Sequence, residues 1–230
     1  MQREYSFSSG SLESCIRKRH SVRFFKPDPV PDKVLHECLS LAQLAPSNSN
    51  MQNWRITFAR GAARDRVIEA LFSEAQNHGP AGIPPLPEKY KHFRSDMGHA
   101  LYGPEGYDIP RSDKAGLNDA TMRNFRFFDA PMIGVIHMDA VLTTVDALSV
   151  GMFVQTFMLA LTDHGLGTCL QVSVTGFPEL LKREFRFAEI EEDQTILCGI
   201  AVGYPAENSK VNELEMSRED LRKGVRILDD

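Results

Sequence analysis

The chain has 230 residues, a formal charge of -5 at pH 7 and 42% hydrophobic residues, enough for one compact domain with a real core and too apolar for a disordered protein. Its 26 basic residues are outnumbered by 31 acidic ones, so it has no cationic field to hold a phosphodiester backbone, which argues against nucleic-acid binding. The four cysteines (Cys15, Cys38, Cys169 and Cys198) show no CxxC pairing, and the first twenty residues contain no apolar stretch of the roughly 7–15 residues a secretory signal needs. Reduced, buried thiols in a cytoplasmic protein are the expectation.

The first notable segment is Arg17-Lys18-Arg19-His20-Ser21-Val22-Arg23, with five cationic or potentially cationic residues in seven positions. Guanidinium forks bind phosphate oxygens in pairs and a serine hydroxyl adds a neutral donor, so R-x-S-x-R suits one phosphate monoester. A solvated basic turn explains the same letters. From Pro31 the apolar positions Val34, Leu35, Cys38, Leu39 and Ala42 recur at helical spacing until Pro46, predicting a helix over 31–44. The turn Ala45 to Asn53 is rich in amides that can read a ring bearing donors and acceptors, or simply satisfy its own backbone. Trp54, Ile56 and Phe58 alternate with Arg55, Thr57 and Ala59 as a half-buried strand, and Val67, Ile68, Leu71, Phe72 and Ala75 return to helical period.

Residues 78–119 contain six prolines and several glycines, which predicts an irregular excursion of the kind that serves as a lid or binding loop. Its aromatic residues Tyr90, Phe93, Tyr102 and Tyr107 and its cations Lys89, Lys91, Arg94 and Arg111 are candidates for substrate selection. Residues 131–138 read as a buried strand and 145–164 as a helix. The uncharged run 147–162 within that helix is shorter than the roughly 20 apolar residues of a membrane span, so it is expected to be buried at the centre or at a homodimer seam. The glycines of Gly165-Leu166-Gly167-Thr168-Cys169 allow close main-chain approach, but without dinucleotide or P-loop spacing. Residues 177–185 read as a helix, 195–202 as a core strand, and a polar tail of 26 residues follows Tyr204. The punctuation suggests an α+β or α/β domain.

The seven histidines show no short metal-ligand spacing, and no G-x-S-x-G elbow is present. Cys169 lacks a positioned base and reads as a structural thiol.

Taken in order, RKRHSVRFFKPDPVP, the helix ending in LAPSNSNMQNWR, RNFRFFDAP, GLGTC and CGIAVGYP resemble the nitroreductase family of FMN-dependent oxidoreductases over about residues 15–228. The stretch LYGPEGYDIPRSDKAG and the ending NSKVNELEMSRED look most like the nitrobenzoate-reductase-like group. The resemblance implies an α+β fold with a central, mostly antiparallel sheet flanked by helices, in an intertwined homodimer with FMN at its interface. Residues 1–14 would be an N-terminal extension, residues 15–230 the FMN-binding domain and 78–119 its lid.

The resemblance also implies a cofactor set. Arg19, His20, Ser21 and Arg23 would contact the phosphate, ribityl and pyrimidine side of FMN. Ser47, Asn50 and Gln52 would lie against the flavin of the partner subunit. Leu170, Gln171, Val172 and Ser173 would pass the flavin N5 edge, and Arg218 would reach back to the phosphate. Arg126 is a helper near the ring, and Arg23 would support the charge of the reduced form. Asn53 stands where the family commonly has proline, and no Glu is followed four positions later by the Tyr of the flavin dehalogenases.

The activity implied is ping-pong hydride transfer from NADPH or NADH through flavin N5 to a nitroaromatic, quinone or similar acceptor. No protein side chain is expected to act as nucleophile or base. The alternatives are a flavin-dependent reductase or dehydrogenase of a biosynthetic C=C or C=N intermediate, and a non-catalytic flavin-binding or storage protein.

Overall fold

The structure is a computed structural model, and it describes residues 11–79, 85–190 and 193–228. Four strands form one antiparallel sheet in the order β1-β2-β4-β3: β1 (Arg55–Arg60), β2 (Met132–Asp139), β3 (Gly167–Gln171) and β4 (Gln194–Gly203). Nine described helices surround it: α1 (Leu12–Lys18), α2 (Asp32–Ala42), α3 (Ala62–Asn77), α4 (Lys91–Tyr102), α5 (Lys114–Met122), α6 (Thr144–Asp163), α7 (Pro178–Glu184), α8 (Lys210–Glu213) and α9 (Leu221–Gly224).

The central strands are covered on both faces, which is why β2 reads as a continuous apolar run rather than an alternation. Met132, Ile136, Ile200 and Val202 pack with α2 and α6 on one side. Ile133, Val135 and Ala201 pack with α3, α7 and the aromatic segment Arg123–Asp129 on the other. The result is a helix–sheet–helix sandwich of the expected α+β class.

Helix α6 is closed at its start by a reciprocal cap, in which Thr143 and Asp146 each hold the other's backbone N–H. It is the one described helix long and apolar enough to cross a membrane, yet eight of its 20 residues are buried inside the protein. Its burial is one-sided. Val145, Leu148, Gly151 and Gln155 form an exposed stripe at helical spacing, so a single chain does not cover the whole circumference.

Two further differences from the sequence reading matter for the site. Of the excursion over 78–119, residues 80–84 lie outside the described residues, and the rest contains α4 and the start of α5, although α4 buries only Leu101 and α5 only Ala120; the predicted irregularity came from the prolines around these helices. Helix α1 straddles position 14 and packs on α6, with the Cys15 thiol 3.6 Å from the Asp163 carboxylate, while residues 1–10 lie outside the described residues.

Candidate functional site: a cradle at the edge of the sheet

The basic motif and the glycine-rich motif meet at one bridge. Arg19 closes α1 through its N–H to the Cys15 carbonyl, after which the chain becomes extended and Ser21 pairs with Thr168 at the free edge of β3. The Val22 N–H donates to the Thr168 carbonyl at 2.9 Å. Gly165, with φ +74°, ends the α6 turn in the left-handed region. Gly167 serves a different purpose: a Cβ there would stand 2.4 Å from Val22 Cγ2, so only glycine admits the 21–23 segment.

This contact places Arg23 beside the end of β3. Its guanidinium donates to the Ser21 carbonyl at 3.2 Å and lies 6.0 Å over the Phe128 ring. Beyond it, Leu170 and Val172 are exposed, whereas Gln171 is 2% exposed and donates to the Asn124 carbonyl at 2.6 Å. Gln171 Oε1, Ser173 Oγ and His20 Nε2 are buried without a hydrogen-bond partner. Buried polar atoms are almost always paired, and among the described residues Tyr107 Oη and Arg123 Nε are also without a partner, so these orphans make the β3 edge and the neighbouring 107–123 region candidates for ligand contact. Cys169, behind the bridge, has its thiol pKa raised by burial, which opposes a nucleophilic role.

The amide-rich turn lies elsewhere. Ser47 Oγ accepts the Gln52 N–H at 3.0 Å, the Asn48 N–H donates to Ser149 Oγ, and Asn53 donates to the Asp146 carbonyl. Trp54 stacks on Phe153 at 5.0 Å and donates to Gln43, fixing the turn to α2 and α6. Asn50 is left exposed and Gln52 half-buried at the surface. Ser149 is near the start of α6 and Asp163, beside α1, is at its end; 14 helical residues separate the two by about 21 Å. Within one chain the turn and the cradle therefore sit at opposite ends of the same helix.

Backbone strain concentrates in these motifs. Of nine described non-glycine residues with left-handed φ, six are Ser49, Asn50 and Gln52 in the amide turn and Phe127, Phe128 and Asp129 beside Arg23. At Phe127 and Phe128 the cost is about 1–2 kcal/mol each, which their burial offsets.

Comparison with known proteins decides the family, since the profile described as "Nitroreductase family" matches residues 16–204. The chain belongs to the nitroreductase family. It is 36% identical to a 4-nitrobenzoate reductase of Pseudomonas putida, over 90% of this chain and 91% of that protein. The crystal structure of the FMN and NADPH-dependent nitroreductase NfnB from sphigopyxis sp. strain HMH superposes with a TM-score of 0.88 at 28% identity, covering 96% of this chain and all of the other. That of the FMN-dependent nitroreductase NfnB from Mycobacterium smegmatis, in complex with NADPH, gives 0.84 at 30% identity, over 94% and 97%.

Not every residue singled out in this nitroreductase sequence reaches the cradle. Arg126 is tied to Asp129 at 2.9 Å and lies 5.5 Å from the Phe72 ring, because the left-handed run after it turns the chain. Arg218 is exposed and donates to the carbonyls of Met216 and Ser217. Two residues that sequence reasoning missed do support the cradle. Arg123 donates to the Arg23 carbonyl at 3.0 Å while lying 4.3 Å over Phe24, and Asn212, 6% exposed, bonds the backbone of Arg23 and Phe24. The only sequence signal for Arg123 is its place in RNFRFFDAP, and Asn212 has none within the polar tail.

Below α5, a cleft of about 670 Å³ is walled by Phe24, Phe72, Tyr107, Ile109, Met122 and Arg123. Tyr107 lies here with its phenol pKa raised by burial, which connects the root of the lid to the segment that carries Arg23. Lid residues Tyr90, just before α4, and Phe93, within it, are exposed, Lys91 pairs with Glu88, and Arg111 bonds His99.

Proposed function

We propose that this chain reduces nitroaromatic, quinone-type and similar electron-poor acceptors by ping-pong transfer from a reduced nicotinamide. At the coarser level it is an FMN-dependent NAD(P)H oxidoreductase of the nitroreductase type. The observation that carries the reading is the cradle: an anion-ready basic segment bridged to β3 near Gln171 Oε1 and Ser173 Oγ, two buried oxygens without a hydrogen-bond partner. FMN matches it chemically, with a phosphate for guanidinium groups and a pyrimidine edge that both donates and accepts hydrogen bonds.

When bound, FMN supplies the hydride chemistry that links the nicotinamide to the acceptor. The protein's residues bind and orient. Arg19 and Arg218 are assigned to the phosphate, with His20 and Ser21 beside them. The Arg23 guanidinium supports negative charge that develops on the ring, and the main chain of the Leu170 to Ser173 segment, whose Leu170 and Val172 are exposed, offers a backbone group to its reactive edge. Gln171 and Ser173 complete the polar contacts from below. Arg126 keeps a secondary role that requires it to leave Asp129.

A homodimer completes this reading. The turn is held at Ser149 and α1, which leads into the cradle, at Asp163, positions about 21 Å apart along α6, so in this reading the turn serves the partner's ring rather than its own. A second copy laid along the exposed Val145–Leu148–Gly151 stripe would supply the turn in trans. The lid over 78–119 then selects the acceptor through its exposed aromatic side chains. Four unbridged cysteines, and an α6 that buries one face in the core and offers the other to a second copy, support a cytoplasmic location without a membrane.

The deciding experiment is the visible spectrum of the purified protein, followed by anaerobic addition of NADPH or NADH. Flavin absorption that bleaches and returns with a nitroaromatic acceptor is the expected result and identifies the donor. Bound flavin that does not bleach would favour a storage protein.

A further inference from the structure

The stretch that carries Arg23 is neither helix nor strand, so its main-chain groups must be paired by something else. Asn212 does most of this. Its Oδ1 accepts the N–H groups of both Arg23 and Phe24, at 2.9 and 3.1 Å, while its Nδ2 donates to the Phe24 carbonyl at 2.7 Å. Arg123 occupies the Arg23 carbonyl and the Ala206 N–H also donates to Phe24. All four main-chain polar groups of Arg23 and Phe24 are thus held, three of them by one amide 188 or 189 residues away.

A primary amide is the side chain for this task. It presents an acceptor and a donor as a peptide unit does, and so substitutes for the missing strand neighbour. Aspartate would set a second oxygen against the Phe24 carbonyl, and an apolar side chain would leave two N–H groups buried and unpaired. Asn212 is itself anchored, since its own N–H bonds the Ser209 carbonyl at 2.9 Å and Val211 beside it is buried.

We propose that Asn212 is a positioning residue for Arg23, holding the main chain so that the guanidinium is fixed at the cofactor ring. The inference rests on the assignment of Arg23 to FMN made above.

The test is a double-mutant cycle of wild type, Arg23→Ala, Asn212→Ala and the double variant. FMN dissociation constants come from titration of the apoprotein, and the reduction potential of the bound flavin from the reconstituted protein. Each single substitution is expected to weaken FMN binding about tenfold and to lower the potential. The double variant should match Arg23→Ala to within about twofold, because the second change removes a support with nothing left to hold. Asn212→Asp should be at least as impaired as Asn212→Ala. Multiplying effects in the double variant, or an Asn212→Ala protein with both quantities unmoved, would overturn the proposal. An Arg23→Ala protein with unchanged FMN affinity and potential would instead overturn the assignment on which it rests. If Asn212→Ala does not fold, Asn212→Ser takes its place in the cycle.

Discussion

The cradle and the lid are built in opposite ways. The cradle is short, irregular in backbone and tied from several directions: Thr168 holds Val22, Asn212 and Arg123 hold Arg23, and Phe128 lies beneath its guanidinium. The lid is regular in backbone and loosely attached, its two helices burying only Leu101 and Ala120 between them. Regular secondary structure is therefore a poor guide to rigidity in this protein. Long-range bonds to an irregular segment fix it more firmly than helical hydrogen bonds fix a helix with little core to rest on.

The sharpest separation of the two regions comes from ligand binding. Arg23→Ala should weaken FMN binding by about 1.4 kcal/mol, the tenfold loss of a charge-assisted bond, as read by titrating apoprotein. Tyr90→Ala with Phe93→Ala should change it by less than about 0.5 kcal/mol while altering KM for the acceptor. Equal losses in both would show that the lid is part of the cofactor site. Next in size is Gly167→Ala. The added methyl would collide with Val22 and push the 21–23 segment off β3, at a cost of about 1–3 kcal/mol in urea unfolding together with FMN release. A variant with wild-type stability and full flavin content would mean that the segment can move, against the comparison just drawn.

This contrast also explains what could be read from the letters alone. Helices α2 and α6 and strands β1, β2 and β4 were legible because their buried faces impose a period or an apolar run. Strand β3 was not, because it has five residues, begins with glycine and ends with a glutamine whose burial depends on Asn124. Helix α4 carries Phe93, Met97 and Leu101 at helical spacing, but the prolines and glycines around it outweighed that signal, and α5 buries only Ala120. In the site, residue types were legible and their partners were not. R-x-S-x-R suggested an anion, but nothing local says that Ser21 lies on Thr168, or that Asn212 in a polar tail is buried against Arg23. Arg126 shows the limit in the other direction: its place before FFDAP matches a basic position of the family the chain resembles, and nothing in the letters shows that its guanidinium is tied to Asp129 in this chain.

The sheet beneath the cradle adds a pH test. His137 is buried in β2, with Nδ1 at 2.7 Å from Gln194 Oε1 and Nε2 at 3.0 Å from the Thr57 hydroxyl, an arrangement that suits the neutral ring. Burial lowers its pKa from the ordinary 6.5. The unfolded chain thus takes up the proton first, and stability is lost as pH falls below about 6.5, by at most about 1.4 kcal/mol per pH unit from this group. Urea midpoints at pH 8 and pH 5.5 should show the decline, and His137→Gln should flatten it. The loss should be global, with no selective effect on the lid.

The smallest expected effects lie in the lid itself. Amide hydrogens of α4 should exchange with solvent much faster than those of β2 and β4, since opening α4 exposes little beyond Leu101. Leu101→Ala should accelerate exchange across α4 and at Tyr107, its hydrogen-bonded neighbour, without moving the global unfolding midpoint by more than about 1 kcal/mol. The Tyr107 N–H donates to the Leu101 carbonyl at 2.8 Å, and the Tyr107 ring packs 5.8 Å from Phe24. Loosening α4 is therefore transmitted as far as the cleft wall, and the bonds from Asn212 and Arg123 should stop it there. Faster exchange at the Arg23 and Phe24 amides in Leu101→Ala would show that lid and cradle move as one unit. Unchanged exchange at those two amides, beside a loosened α4, is what a clamped cradle under a loosely held cover requires.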